Sequence, residues 1–118
     1  MILSSNLGYP RIGLNRELKW ALESFWKKDI SEKDLFEKIS SIKKENWIRQ
    51  KNKGIHFVPS NDFSLYDHVL DMCLTVGAVP DRFNKLKKNK LDLYFSMARG
   101  YQKGKIDIKA MEMTKWFD

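Results

Sequence analysis

Residues 2–28 have the sequence ILSSNLGYPRIGLNRELKWALESFWKK and contain the clearest change of pattern in the chain. Their first part begins with apolar residues and is then interrupted by Gly8 and Gly13, which favour turns. We therefore predict that residues 2–14 form a strand that leads into a loop. The second part has apolar residues at helical spacing, which predicts an amphipathic helix over about residues 16–28. A strand, a loop and a helix in this order form the βα unit of α/β proteins.

The ends of the first two helices are indicated by capping residues. Asn15 is a suitable N-cap for the first helix. Ser31 and Asp34 resemble a capping box at the start of a second helix, and Gly54 suits the position just after its end. The apolar residues that we expect these two helices to bury are Leu18, Ala21, Leu22, Phe25, Trp26, Leu35, Ile39 and Ile42.

A second strand and a third helix are predicted further along the chain. Residues 55–58, IHFV, are largely apolar or β-branched and are stopped by Pro59, so we predict a short buried strand. The third helix is predicted over about residues 64–76, with Asp62 or Ser64 as its cap. Its predicted apolar stripe is Leu65, Val69, Met72 and Val76, and Tyr66, Leu70 and Cys73 lie beside this stripe.

The remaining sequence predicts a single further helix. Residues 78–90 are predicted to be irregular, residues 91–99 helical, and residues 101–109 polar and turn-like. Two strands that alternate with helices imply parallel pairing, but two strands cannot close a sheet. The pattern therefore suggests part of a longer α/β protein, with residues 1–118 as one segment of it.

Composition excludes several classes of protein. The chain has 118 residues, of which 42% are hydrophobic and 31% charged, values that exclude a disordered tail or a collagen. Its one cysteine, Cys73, cannot form an intramolecular disulfide, which disfavours a disulfide-stabilised secreted scaffold. No apolar run is long enough to cross a membrane, so we expect no membrane partner and a cytoplasmic location.

The positive charge has two interpretations. The net charge of +7 suggests an anionic partner, such as a nucleic acid, a phosphate or a polycarboxylate. Alternatively, the lysines are scattered over solvated helix faces. The densest run, residues 84–90, is NKLKKNK, which contains no arginine or aromatic residue to suit nucleic acid.

The best local signal for binding is the start of the first helix. Arg16 and Lys19 are three residues apart, so they share a face of the helix. Cations are normally disfavoured at a helix N-terminus, where backbone N–H groups and the helix dipole attract anions. One interpretation is therefore an anion site. The other is a solvated face on which Lys19 pairs with Glu23 at i+4.

Catalytic and metal-binding motifs are not found in the sequence. The histidine and cysteine side chains that could bind zinc are His56, His68 and Cys73. The last two are five residues apart and lie on different faces of a helix. We therefore expect no zinc site in this segment. No GxSxG string indicates a nucleophilic serine. Asp67 and His68 are adjacent and cannot face each other, so Asp67 is expected to cap the third helix.

Five strings together resemble the beginning of the cobalamin-independent methionine synthases. In chain order they are LGYPRIG at residues 7–13, RELK at 16–19, DF at 62–63 with YDHVL at 66–70, MARG at 97–100, and EMTKWFD at 112–118. The resemblance extends over nearly the whole chain and is weakest at residues 84–90 and 101–109.

The resemblance implies a fold and a reaction. Members of this family are built from two (β/α)₈ barrels and transfer a methyl group from 5-methyltetrahydropteroyl-triglutamate to homocysteine, without cobalamin. Zinc in the C-terminal barrel binds the homocysteine thiolate, and the N-terminal barrel helps to hold the polyglutamate tail. The expected fold is therefore α/β: the incomplete N-terminal part of a (β/α)₈ barrel, helix-rich, with about two strands and four helices.

The resemblance also assigns residues and partners. It implies that Arg16, Glu17, Leu18, Lys19 and Lys115 contact the folate. The expected partners are the triglutamyl folate and the remainder of the synthase chain, and not a nucleic acid. We expect the zinc to lie outside this segment, the isolated chain to be inactive, and its exposed apolar faces to favour self-association. The alternatives are a separate basic binding module for a nucleic acid or another polyanion, and a gene remnant without function.

Overall fold

The computed structural model describes residues 1–111. Within this part, four α-helices precede a short antiparallel hairpin: α1 (Glu17–Trp26), α2 (Glu32–Asn52), α3 (His68–Thr75), α4 (Lys90–Arg99), β1 (Tyr101–Lys103) and β2 (Ile106–Ile108). A 3₁₀ helix (Asp81–Leu86) lies before α4. The chain divides into two compact units, Met1–Leu65 and Tyr66–Asp118. The structure is thus a small helix-rich α/β arrangement, as the sequence predicts at this level.

The first unit is built on the packing of α1 against α2. Both helices are present where the sequence predicts them, and the capping box at Ser31 and Asp34 is confirmed. The N-cap of α1 is Arg16 and not Asn15, so the predicted cap is wrong by one residue. The buried apolar residues that join the two helices are Leu18, Ala21, Leu22, Leu35, Ile39 and Ile42.

The two predicted parallel strands are not formed. The N-terminal segment and the 55–58 segment meet at one parallel bridge, between Ser5 and Phe57. The carbonyl oxygen of Ser4 accepts the N–H groups of His56 and Phe57, at 3.1 and 3.0 Å. The Phe57 side chain is 60% exposed, so the prediction of a buried strand is wrong. Parallel strands are stable when both faces of the sheet are covered, and two segments alone do not provide that cover.

The second unit contains α3 and the 3₁₀ helix, both in contact with α4. Helix α3 begins at His68 with Asp67 as its N-cap, so the predicted caps at Asp62 and Ser64 are wrong and the predicted role of Asp67 is confirmed. The predicted stripe is also wrong: Leu70 is buried, whereas the side chains of three of its predicted members, Val69, Met72 and Val76, are 68%, 56% and 67% exposed. The face of α3 that packs is therefore rotated from the predicted one.

The hairpin replaces the turn-like segment predicted at residues 101–109. Tyr101 pairs with Ile108 and Lys103 with Ile106. Gly104 has a φ of 60°, and Gly at the first position of a two-residue turn suits the twist of a hairpin. None of the helices among residues 1–111 is long and apolar enough to cross a membrane.

Candidate anion site at the start of helix α1

Helix α1 begins from an unusual backbone conformation. Its N-cap, Arg16, has φ 60° and ψ 35°, in the left-handed region. A residue with a Cβ atom adopts this conformation at a cost of roughly 1 kcal/mol, and it persists only where the surroundings determine it. The guanidinium of Arg16 is a donor only, so it cannot cap the helix as Asn or Asp would. Arg16 is exposed, and its cationic group lies at the positive end of the helix dipole.

The other predicted site residues of this turn have different environments. Lys19 is exposed and its Nζ lies 3.8 Å from a carboxylate oxygen of Glu23, so the i+4 pair considered above is formed. This exposed pair is worth about 0.3–0.5 kcal/mol and leaves the lysine available to an anion. The Nζ of Lys19 also lies 4.9 Å from the centre of the Trp20 ring.

Glu17 and Leu18 stabilise the turn before α1, through a hydrogen bond and through burial in the core. A carboxylate oxygen of Glu17 accepts the backbone N–H of Asn15 at 3.0 Å. The side chain of Leu18 is 1% exposed and belongs to the core, while its backbone N–H donates to the carbonyl oxygen of Ile12 at 3.1 Å. The fifth predicted residue, Lys115, lies outside the described residues. The structure therefore leaves Arg16 and Lys19 exposed at the start of α1 and directs Leu18 inward.

The loop before α1 is held by hydrogen bonds to other parts of the first unit. The carboxylate of Asp62 accepts the backbone N–H of Tyr9 at 2.9 Å. The Arg11 guanidinium donates to the carbonyl oxygen of Ser64 at 2.8 Å, and the amide of Asn46 donates to that of Pro10 at 3.4 Å. Successive loop residues are thus attached to α2 and to the segment that follows it.

A chain of amide hydrogen bonds reaches the same loop from α2. Gln50, which is 4% exposed, donates to the carbonyl oxygen of Asn46 and accepts from the side-chain amide of Asn6 at 2.9 Å. Asn6 in turn accepts the backbone N–H of Gly8 at 3.2 Å. The guanidinium of Arg49 lies 5.4 Å from the ring centre of Tyr9. These contacts link the buried face of α2 to the loop through polar groups.

Sequence reasoning missed this network, although a signal for it exists. Asn46 and Gln50 continue the spacing of Leu35, Ile39 and Ile42, so they lie on the stripe of α2 that faces the core. A buried amide on such a stripe requires hydrogen-bond partners. Two amides in succession therefore indicate a polar segment packed against the end of α2, and that segment is the loop.

The other polar side chains considered as functional candidates take part in contacts within the fold or lie exposed on helices and turns. Ser4 Oγ lies 2.8 Å from Nδ1 of His56 and 3.1 Å from the carbonyl oxygen of Gly54, contacts that join the N-terminal segment to the end of α2. Among residues 1–111, no group of three or more His, Cys, Asp or Glu residues could hold a metal ion. The side chains in this part of the chain therefore do not fit a zinc site. The lysines of residues 84–90 are exposed. Lys87 and Lys88 lie in the turn between the 3₁₀ helix and α4, so the predicted surface loop is confirmed there, whereas Lys85 and Lys90 lie in those helices.

Comparison with known proteins identifies the family. Residues 3–118 match the family described as cobalamin-independent synthase, N-terminal domain. A protein of Flavobacterium johnsoniae is 55% identical over 98% of this chain, and one of Cytophaga hutchinsonii is 52% identical over 99% of it. A protein of Parvibaculum lavamentivorans is 53% identical over the whole chain. Each is named 5-methyltetrahydropteroyltriglutamate–homocysteine methyltransferase.

The matched region is a small part of these relatives. The chain covers 16% of the length of the Cytophaga protein and 15% of the lengths of the other two. Identity of this level over nearly every residue of the chain, together with the family match, confirms the resemblance noted in the sequence. The chain belongs to the cobalamin-independent methionine synthase family, whose N-terminal domain it matches.

Proposed function

We propose that this chain is the N-terminal part of a methyltransferase that moves a methyl group from 5-methyltetrahydropteroyltriglutamate to homocysteine, giving methionine. In that enzyme the chain contributes the binding of the folate polyglutamate tail. It forms the first, incomplete part of a (β/α)₈ barrel and acts together with the remainder of the synthase chain. The names of the relatives support the reaction, and the surface at the start of α1 supports the role in tail binding.

The tail-binding proposal depends on one observation, the exposed pair of cations in the first turn of α1. Arg16 is the N-cap of the helix, and Lys19 is exposed in the first turn that follows it. A triglutamate tail carries several carboxylates, and an Arg guanidinium matches a carboxylate with two parallel hydrogen bonds. The helix dipole also favours an anion at this end of α1. The residue types and their position thus suit a polycarboxylate.

The proposed folate residues differ in how they act. Arg16 and Lys19 contact the tail through their charged groups. Leu18 has a buried side chain, so its contribution comes from its backbone. Glu17 holds the N–H of Asn15 and thereby shapes the turn. Lys115 adds a third cation in this proposal, on the strength of the family motif.

The chemical step belongs to other parts of the parent enzyme. In our proposal the homocysteine site and the residues that would hold zinc belong to the remainder of the synthase chain, and no cobalamin takes part. Residues 1–111 bind and orient the tail of the methyl donor. The proposal also includes a cytoplasmic location, which a single cysteine supports.

A binding experiment tests the role in the tail site. The affinity of the chain for 5-methyltetrahydropteroyl-triglutamate is compared with that for the monoglutamate by titration calorimetry. We expect the triglutamate to bind more tightly and Arg16→Gln to weaken it by about twofold to fivefold, the value of one exposed ion pair. Lys28→Gln is the matched control, because Lys28 follows the other end of α1 and also has a positive φ, of 66°.

The other outcomes identify the alternatives. Equal affinity for the two folates would contradict tail binding. Tight binding to DNA or RNA that falls steeply with salt would favour a basic binding module, with the lysines of residues 84–90 as its contact surface. Absence of binding together with a broad, non-cooperative unfolding transition would favour a remnant without function.

A further inference from the structure

The hydrogen bonds of the loop before α1 fall on consecutive residues. From Gly8 to Arg11, each residue has at least one bond that joins it to a side chain or backbone group outside residues 8–11. The next two residues are bonded to α1 itself, since the carbonyl oxygens of Ile12 and Gly13 accept from Leu18 and Arg16. The loop is therefore attached at each residue from Gly8 to Gly13.

Two buried or half-buried groups provide the fixed ends of this arrangement. Gln50 uses both ends of its amide, one toward Asn46 in α2 and one toward Asn6. Asp62 accepts the N–H of Tyr9, and it also packs against Gly8, where a Cβ atom would come within 2.7 Å of the Asp62 Cβ. Residues 8 and 9 are thus held on one side by an amide chain and on the other by a carboxylate.

Arg16 needs such support because its conformation is unfavourable by itself. Its left-handed φ and ψ place a residue with a Cβ atom in a sparsely populated region. Its N–H donates to Gly13 at 3.4 Å, a long bond that contributes little to this geometry. The loop that precedes it is therefore one of the constraints that hold the backbone of Arg16 in this conformation, together with the bond from the Trp20 N–H to the Arg16 carbonyl oxygen.

We propose that Gln50 and Asp62 are positioning residues for the anion site: they hold the loop before α1, and through it Arg16, in the geometry that binds a polyglutamate tail. This inference rests on the proposed function. It assigns a part in discrimination between long and short tails to Gln50, which lies outside the family strings, and to Asp62, which lies in the string at 62–63. Neither residue contacts the tail in this proposal.

The test uses the ratio of two dissociation constants, that for the monoglutamyl folate over that for the triglutamyl folate. Loss of folded protein lowers the binding of both ligands equally and leaves the ratio unchanged, so a merely structural role does not move it. We expect Gln50→Leu and Asp62→Ala to reduce the ratio by at most about twofold to fivefold, the loss expected for Arg16→Gln, because they act through that residue. Asp62→Asn keeps an oxygen acceptor for the Tyr9 N–H and should restore most of the ratio.

Two further variants complete the design. Leu35→Ala opens a hole in the core at a residue that is 0% exposed; it should lower stability and leave the ratio unchanged. Asn6→Ala removes the middle of the amide chain from a half-buried position, and it tests the same inference if the Gln50 variant does not fold. It should also lower the ratio.

The results separate this inference from the proposed function. A wild-type ratio near one overturns tail binding itself. A raised wild-type ratio that Arg16→Gln lowers, but that the Asn6, Gln50 and Asp62 variants leave unchanged, overturns the positioning role alone. A fall in the ratio for Leu35→Ala equal to that for Gln50→Leu would also overturn it, because stability would then explain the effect.

Discussion

A glycine is required at position 8, near the candidate site, because there is no room for a Cβ atom and because the backbone has a positive φ. Gly8 has a φ of 140°, and a Cβ atom there would lie 2.7 Å from the Asp62 Cβ and 2.8 Å from one of its carboxylate oxygens. Atoms this close must move apart, and Asp62 cannot move without losing its bond to the Tyr9 N–H. Gly8 thus allows the carboxylate to approach the loop backbone.

We expect Gly8→Ala to lower the free energy of unfolding by about 1–3 kcal/mol, through backbone strain and displacement of Asp62. Gly54→Ala is the matched control: Gly54 has a φ of 83°, but a Cβ there would meet nothing within 4 Å. Urea unfolding of both variants separates the two effects. An equal loss of stability would mean that positive φ alone accounts for the requirement, and that the contact with Asp62 does not matter.

At the scale of a single element, the start of α2 has the clearest electrostatic signature. The side-chain hydroxyl of Ser31 donates to the Asp34 carboxylate, as does the Ser31 backbone N–H. These two hydrogen bonds, with smaller contributions from Lys33 and Lys38, lower the pKa of Asp34 below its ordinary value of 3.8. The folded chain therefore holds the charged carboxylate more strongly than the unfolded chain does.

This lowered pKa predicts a pH dependence of stability. Because the pKa is lower in the folded state, the contribution of Asp34 is fully present above the ordinary pKa and is lost as the pH falls through the folded value. Wild type should therefore be more stable than Asp34→Asn at neutral pH, and the difference should shrink below about pH 4. Urea midpoints measured across this range provide the test, with Asp29→Asn as control. A difference that is constant with pH would contradict the prediction.

Helices were easier to predict than strands for a physical reason. The stripe of Leu35, Ile39 and Ile42 and the capping box at Ser31 are local signals, and α2 was predicted closely. The 55–58 segment has the composition of a strand, but a strand depends on partners distant in sequence, and here it has a single bridge to Ser5. Gly104 followed by Lys is a weak hairpin signal, so the hairpin was missed.

The candidate site was predictable in part. The exposed position of Lys19 in the first turn follows from the helical spacing of α1, whereas the left-handed backbone of Arg16 at the N-cap does not. The burial of Leu18 also follows from that spacing, although the family motif includes it among the folate residues. The contacts from Asp62 and Gln50 to the loop could not be predicted from spacing, because they join residues more than 40 positions apart.

At the scale of the whole molecule, large apolar side chains remain on the surface of each unit. In the first unit these include Leu7 and Phe57, which are 101% and 60% exposed, and in the second the α3 stripe of Val69, Met72 and Val76. Val69, Met72 and Val76 follow one another at helical spacing, and an apolar stripe of this kind normally marks an interface when it is exposed. We expect the isolated chain to self-associate, and sedimentation velocity should then give a mass that rises with concentration. Sedimentation as a compact monomer at all concentrations would contradict this.

Methyl transfer is the property that we expect the isolated chain to lack. The chain covers 15–16% of the length of its relatives, and the side chains of residues 1–111 do not fit a zinc site. With zinc, homocysteine and the triglutamyl methyl donor, it should form no methionine above the uncatalysed rate. Replacing the matching region of the Flavobacterium relative with this chain should retain activity, and Arg16→Gln in that hybrid should raise the KM for the triglutamate more than it lowers kcat. Zinc-dependent methionine formation by the 118-residue chain alone would show instead that it holds its own metal and thiol sites.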